Sequence, residues 1–190
     1  MSEMTEMPTK RDEILDTAER MIRTAGYNGF STRDVANAVG IKAASVHYYF
    51  PTKSDIGVAV TERYTERFLD QLGDPEAFEG RQKKTIEHYV DAFRHALVRD
   101  GNVCLCAVLG AEIGGLPMEV GEHARIFFER NLAWLKKALT ASSRVSAAEA
   151  QALAIHILAT LEGSMILSKS LGDDTAFESV AESLAQIADD

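Results

Sequence analysis

The sequence predicts an all-α fold of about nine helices. Apolar residues recur at helical spacing along nearly the whole chain, and clusters of Gly, Pro, Asn and Asp cut that periodicity into segments. No strand-like alternation, internal repeat or low-complexity tract stands out.

The first helix follows from Ile14, Leu15, Ala18, Met21, Ile22 and Ala25, which fall on one helical face. Gly26 ends it and Tyr27-Asn28-Gly29 turns the chain. Ser31 caps a short helix to about residue 39, with Asp34 at its positive end. Gly40 breaks it, and a second short helix runs over 43–49 until Phe50-Pro51 stops it. Thr52 or Ser54 caps a fourth helix to about residue 72. Gly73-Asp74-Pro75 breaks the chain again, and helices follow at about 81–99, 103–114, 118–140, 146–171 and 174–188. The domain boundary is expected near this breaker, with the fourth helix bridging the parts: residues 1–55 form one unit and 56–190 a second.

With 190 residues, 46% hydrophobic and 26% charged, the chain can bury a sizeable core. No uninterrupted apolar run reaches about 20 residues, and the first ten lack a signal-peptide core, so a cytoplasmic protein away from membranes is expected. The net charge is −9, but its distribution matters more than its sum. Residues 31–54 hold Arg33, Lys42 and Lys53 against Asp34, a local +2. Residues 57–190 hold 13 Lys/Arg against 21 Asp/Glu, a local −8. Any contact with nucleic acid is therefore short and N-terminal.

Residues 32–50 read TRDVANAVGIKAASVHYYF. Val35, Ala36 and Val39, then Ile41, Val46, Tyr49 and Phe50, give two short amphipathic helices around Gly40. Ala36 is small enough for a close helix crossing, and Gly40 can take a positive φ. This is helix-turn-helix spacing, in which the second helix enters the major groove. The stretch alone also fits an ordinary αα-hairpin.

The flanking residues resemble the TetR/AcrR family of transcriptional regulators over about residues 10–60. The resemblance rests on Gly26-Tyr27, Thr32-Arg33-Asp34-Val35-Ala36, Gly40-Ile41, Ser45-Val46-His47-Tyr48-Tyr49-Phe50 and Phe50-Pro51-Thr52-Lys53. It implies an N-terminal three-helix DNA-binding domain and a C-terminal helical domain for ligand binding and dimerisation. It also implies roles. Thr32 and Arg33 meet phosphate, with Arg33 also within reach of a base. Lys42, Ala43, Ala44 and Ser45 lie against base edges. His47 and Tyr48 meet backbone or a thymine methyl, and Lys53 a phosphate. Lys42 stands where Ser or Thr often caps the recognition helix, and His47 replaces a usual Tyr.

From Leu153 to Leu161 only His156 and Thr160 are polar, so that helix is covered on two sides, one of them by a partner. The final helix has one apolar stripe of Phe177, Val180, Ala181, Leu184 and Ile187. The resemblance implies that helices 146–171 and 174–188 pair with their mates in a homodimer, which suits a palindromic operator.

Cys104 and Cys106, the only cysteines, open a helix in the expected sensor domain. A helix N-terminus and Arg99 favour a thiolate, whereas Val103, Leu105 and Val108 suggest burial, which opposes one. The two readings are an electrophile sensor and plain core packing. The stretch through Gly114-Gly115-Leu116-Pro117 also resembles a family branch sensing reactive small organics. His88, Phe93, Phe127, Trp134, His156 and Met165 are further candidates to line a ligand pocket. Glu119, Glu122 and His123 share a face at metal-compatible spacing, where a solvated face is the simpler reading. No phosphate loop or catalytic triad is recognisable, and no cofactor is expected. The preferred function is a repressor released from its operator by a small effector, an electrophile on the sensor reading of the cysteines. An activator of the same fold and an all-α thiol-dependent enzyme are the alternatives.

Overall fold

The computed structural model describes residues 9–99, 101–142 and 145–187, with backbone alone at 98, 99 and 187. Among them are nine α-helices and no strand. The expectations for residues 1–8, for Asp100 and Ser143, and for the Arg99 and Ile187 side chains lie outside the described residues.

Reciprocal caps set several helix starts. The Thr9 hydroxyl accepts the Asp12 N–H and the Asp12 carboxylate accepts the Thr9 N–H, opening α1 (Lys10–Ala25). Ser31 and Asp34 do the same for α2 (Thr32–Val39). Gly40 then takes the left-handed conformation at φ 73°, and the Ile41 N–H reaches back to the Ala36 carbonyl in a Schellman closure. α3 (Ala43–Tyr49) follows. Thr52, rather than Ser54, caps α4 (Lys53–Leu72), paired with Asp55.

α5 (Gln82–Arg94) continues into a π-turn, His95–Arg99. α6 is short (Leu105–Ala111), α7 (Met118–Ser142) and α8 (Ala147–Leu171) are long, and α9 (Thr175–Ile187) closes the chain. The largest packing surfaces join α7 to α8, α8 to α9, and α4 to α7. The expected boundary at residue 55 falls in the first turn of α4. That helix is tied back to α1, with Arg63 Nη2 2.7 Å from Asp16 and Arg67 Nη2 2.5 Å from Glu19. The buried core is continuous across the boundary, from Ile14 and Val46 to Phe177 and Leu184.

The two C-terminal helices show where their apolar faces go. The segment Ala147–Leu171 is long and apolar enough to cross a membrane by length and composition. Here it is a packed helix, its inward side (Ala154, Ile157, Leu158, Leu161, Met165) buried against the same chain. The apolar stripe of α9 also turns inward: Phe177, Ala181 and Leu184 are buried. Its outer face carries Ser179, Glu182, Ser183 and Gln186.

Candidate functional site

The residues expected to read DNA share one surface. Arg33, Lys42, Ala44, Ser45, His47 and Tyr48 are exposed, and Thr32 and Ala43 half-exposed, while Val35, Ala36 and Val46 anchor the two helices from beneath. Tyr48 is 82% exposed and meets only its neighbour Tyr49, edge-on at 5.2 Å. His47 Nδ1 lies 3.1 Å from the Pro51 carbonyl, which orients the ring at the end of α3. Lys42 is the N-cap of α3 without a side-chain cap bond, so its ammonium is not used to hold the helix. Lys53 sits differently from the others. Its Nζ is half-buried, 4.5 Å and 4.7 Å from the ring centres of Tyr27 and Phe30. That burial lowers its pKa, while Glu112 and Asp34 favour the charged form.

The two cysteines are buried and reduced, at the heart of the larger domain. Cys104 is the N-cap of α6. Its sulfur closes no full capping bond, but the Ala107 N–H, three residues on, is near enough to favour the thiolate. Burial opposes ionisation of Cys104. Hydrogen bonding from Cys106, Tyr64, Ala107 and Glu162 outweighs it and brings the pKa down to about 6. Cys106 goes the other way, raised well above an ordinary thiol by burial and by the charge on Cys104. The structure thus separates two thiols that the sequence could not rank. Burial also pushes up the Tyr64 hydroxyl and the Glu162 carboxyl, which face the same sulfur.

Both ends of α6 touch the helix-turn-helix region. At its start, the Arg23 guanidinium of α1 donates to the carbonyls of Val103 (2.9 Å), Asn102 (3.1 Å) and Ala96 (3.4 Å). At its end, the Glu112 carboxylate accepts the Tyr27 N–H at 2.9 Å. Gly26, at φ 79°, makes this approach possible: a Cβ there would lie 1.8 Å from Glu112 Oε1. The thiols therefore lie at the start of a helix pinned at each end to α1 and the turn that lead into the recognition motif.

An open cleft of about 210 Å³ lies between α1, α4 and the α5/π-turn. Tyr64 and Phe68 form its apolar wall, and Glu19, Arg67, Gln71 and His95 its polar rim. Tyr64 connects this cleft to Cys104.

None of the sequence candidates for a pocket lines this cleft, Cys104 and Cys106 included. Phe93 and Phe127 pack with Phe68 in an aromatic cluster, and Met165 is buried core. His88 Nε2 and Trp134 Nε1 lie 3.0 Å and 2.7 Å from the carbonyls of Leu72 and Gly73, closing the end of α4. His156 is exposed, on the outer face of α8, because Ala154 and Ile157 take the inward positions. Glu119, Glu122 and His123 do not converge: His123 Nε2 is 2.9 Å from Glu62, and Glu122 pairs with Arg125. Arg23, Tyr64, Glu112 and Glu162 were missed. They lie on four different helices or turns, and the signal available in sequence was no more than a polar residue within an apolar stretch.

Comparison with known proteins agrees with this geometry. Residues 14–60 match the model of bacterial regulatory proteins of the tetR family. Residues 83–183 match the C-terminal domain of LmrA/YxaF-like transcriptional regulators. A TetR transcriptional regulator from Legionella pneumophila superposes with a TM-score of 0.89 at 31% identity, over 96% of this chain and 98% of that one. An HTH-type transcriptional regulator from the dhlA 5' region of Xanthobacter autotrophicus is 30% identical over 121 residues, 63% of this chain and 50% of that protein. The HTH-type transcriptional repressor NemR of Escherichia coli K12 is 26% identical over 123 residues, 63% of this chain and 61% of that protein. The matches to these two curated relatives thus span about half to three-fifths of their length. An exposed recognition helix on a three-helix head, a helical body around it and two matching family models together place the chain in the TetR family of bacterial transcriptional regulators.

Proposed function

We propose that the protein is a homodimeric cytoplasmic repressor that leaves a palindromic operator when a small electrophile modifies Cys104. The observation that carries this reading is the buried Cys104 at the start of α6, with both ends of that helix held by the DNA-reading unit through Arg23 and Glu112. A bulky group on Cys104 cannot fit in a filled core without moving α6. Moving α6 pulls on α1 and the Gly26-Tyr27 turn, and so on the spacing of the two recognition helices. The relative NemR, named a repressor, supports the sign of regulation. The proposed division remains 1–55 for reading DNA and 56–190 for sensing and dimerisation. Dimerisation is assigned to the outer face of α8, where Ile155, Ile166, Leu167 and Leu171 stand about half exposed or more.

The deciding experiment is a gel shift with labelled operator and an unsaturated aldehyde, alongside intact-protein mass spectrometry. Wild type should gain one adduct and release DNA; Cys104→Ser with Cys106→Ser should stay bound at the same dose. Equal release from both, or release without an adduct, removes the covalent reading. The pH dependence adds a sign. With the Cys104 pKa lowered to about 6, the adduct rate should be flat from about pH 7 upward and fall below about pH 6. An ordinary thiol would still gain rate up to about pH 8.5.

Phosphate contacts are assigned to Thr32, Arg33 and Lys53, and base-edge contacts to Lys42, Ala43, Ala44 and Ser45. His47 and Tyr48 are assigned to backbone or a thymine methyl. Arg33→Ala should weaken binding and flatten the salt dependence by about one unit in log–log slope. Lys53→Ala should do the same and also lose its contact with Tyr27 and Phe30, worth about 1 kcal/mol. A lower melting temperature with an unchanged salt slope would assign Lys53 to packing alone.

A further inference from the structure

Glu162 has a place above only as a hydrogen-bonding neighbour of Cys104. It projects from α8 into the core, is 9% exposed, and neither carboxyl oxygen closes a hydrogen bond to a nitrogen or oxygen, which leaves the Cys104 sulfur as its hydrogen-bonding neighbour. A buried carboxylate without a partner is costly, so the group is held as the neutral acid. Burial and the charge on Cys104 act in the same direction, raising its pKa well above the usual carboxylate value. It faces the sulfur of Cys104, with Cys106 and the Tyr89 hydroxyl close enough to feel its charge. The Tyr64 hydroxyl, also buried and without a nitrogen or oxygen partner, faces that sulfur from α4. A nucleophile and a stored proton thus share one buried volume, from α6 and α8, and Tyr64 stands between them and the open cleft.

We propose that Glu162 is the acid that completes the addition of an α,β-unsaturated carbonyl compound to Cys104, a proposal that rests on the electrophile-sensing reading above. The step balances without a further reagent. The Cys104 sulfur bonds to the β-carbon, the electron pair of the C=C bond moves to the α-carbon as an enolate, and the Glu162 proton passes to that carbon. The product is a neutral thioether and a Glu162 carboxylate. One negative charge is present before and after, but it moves from α6 to α8. The proton transfer traps an addition that would otherwise reverse. It also leaves a buried, unpaired carboxylate on α8, a strain that adds to the bulk of the adduct. The preferred substrate class is small and uncharged, since Cys104 and Glu162 are buried in an apolar core and the neighbouring cleft, walled by Tyr64 and Phe68, holds about 210 Å³.

The test compares two reagents on wild type, Glu162→Gln and Cys104→Ser, following the Cys104 adduct by intact mass and peptide mapping. Acrolein needs a proton at its α-carbon; iodoacetamide expels iodide and needs none. Gln is a neutral isostere of the protonated acid, and circular dichroism checks that the variant keeps its helices. In Glu162→Gln, acrolein addition should slow by at least about tenfold while iodoacetamide changes by less than about twofold. Equal acrolein rates overturn the acid role. Equal slowing with both reagents overturns it as well, and makes Glu162 a shaping residue. A wild type that gains no acrolein adduct at Cys104 removes the electrophile reading itself, and the acid role with it.

Discussion

Replacing Ile155 and Ile166 together by lysine is expected to yield a folded 20.8 kDa monomer that no longer holds its operator. The two side chains are 50% and 49% exposed on the outer face of α8, beside Leu167 and Leu171. A lysine at an exposed helix position is well tolerated within one chain. Across a twofold axis the same change buries four ammonium groups without partners, each costing about 3–5 kcal/mol. Dimer affinity should fall by at least about a thousandfold. A monomer offers one recognition helix to a two-half-site operator and loses the second half of its contacts. The contrast is with Ile157→Lys or Leu161→Lys. Both residues are fully buried in the chain itself, so these variants should fail to fold instead of dissociating. Light scattering with a gel shift checks the set. A wild type that is monomeric at micromolar concentration, or a double lysine variant that stays dimeric, would sink the assignment.

Arg23→Met is expected to have the other large effect, on stability and on signalling together. Its guanidinium fills the hydrogen-bonding needs of three carbonyls, at Ala96, Asn102 and Val103, and lies 3.7 Å from the buried Glu19. Its charge also lies over the Tyr64 ring at 5.9 Å. Methionine keeps much of the volume and none of the donors. Leaving the carbonyls unpaired and removing one of the cations around Glu19, which keeps Arg67 and Arg63, should cost about 3 kcal/mol, or roughly 6–12 °C in melting temperature for a chain of this size. If Arg23 carries strain from α6 to α1, the variant still binds operator and still gains the Cys104 adduct, yet releases DNA only at much higher occupancy. Calorimetry and a paired adduct-and-gel-shift titration separate the two effects. Destabilisation with an unaltered release curve would leave Arg23 as a structural clamp and place the coupling in Glu112.

Most of the helical framework and the recognition motif were legible because their determinants are local. Ser31 with Asp34, Gly40 at a positive φ and the Phe50-Pro51 stop act within a few residues of one another, so one stretch of sequence holds the cause and the result. The face of α2 and α3 left for DNA follows from the same periodicity, since Val35, Ala36 and Val46 must turn inward. Helix-end positions were less legible: Thr52 and Ser54 are both acceptable caps, and Asp55 decides for Thr52.

What the sequence by itself determined, then, is an all-helical chain with a helix-turn-helix near its start and two thiols at the start of a helix in the larger domain. The tertiary structure alone decided which thiol ionises, because Tyr64 and Glu162 reach Cys104 from 40 residues before it and 58 after it. It alone decided that His156 faces outward and Leu161 inward, since α8 is apolar nearly all round and periodicity cannot choose between two apolar faces. It alone linked α6 to α1 through Arg23 and to the Gly26 turn through Glu112. Local structure depends on neighbours in sequence; ionisation and coupling depend on which distant groups share a buried volume, and only packing brings those together.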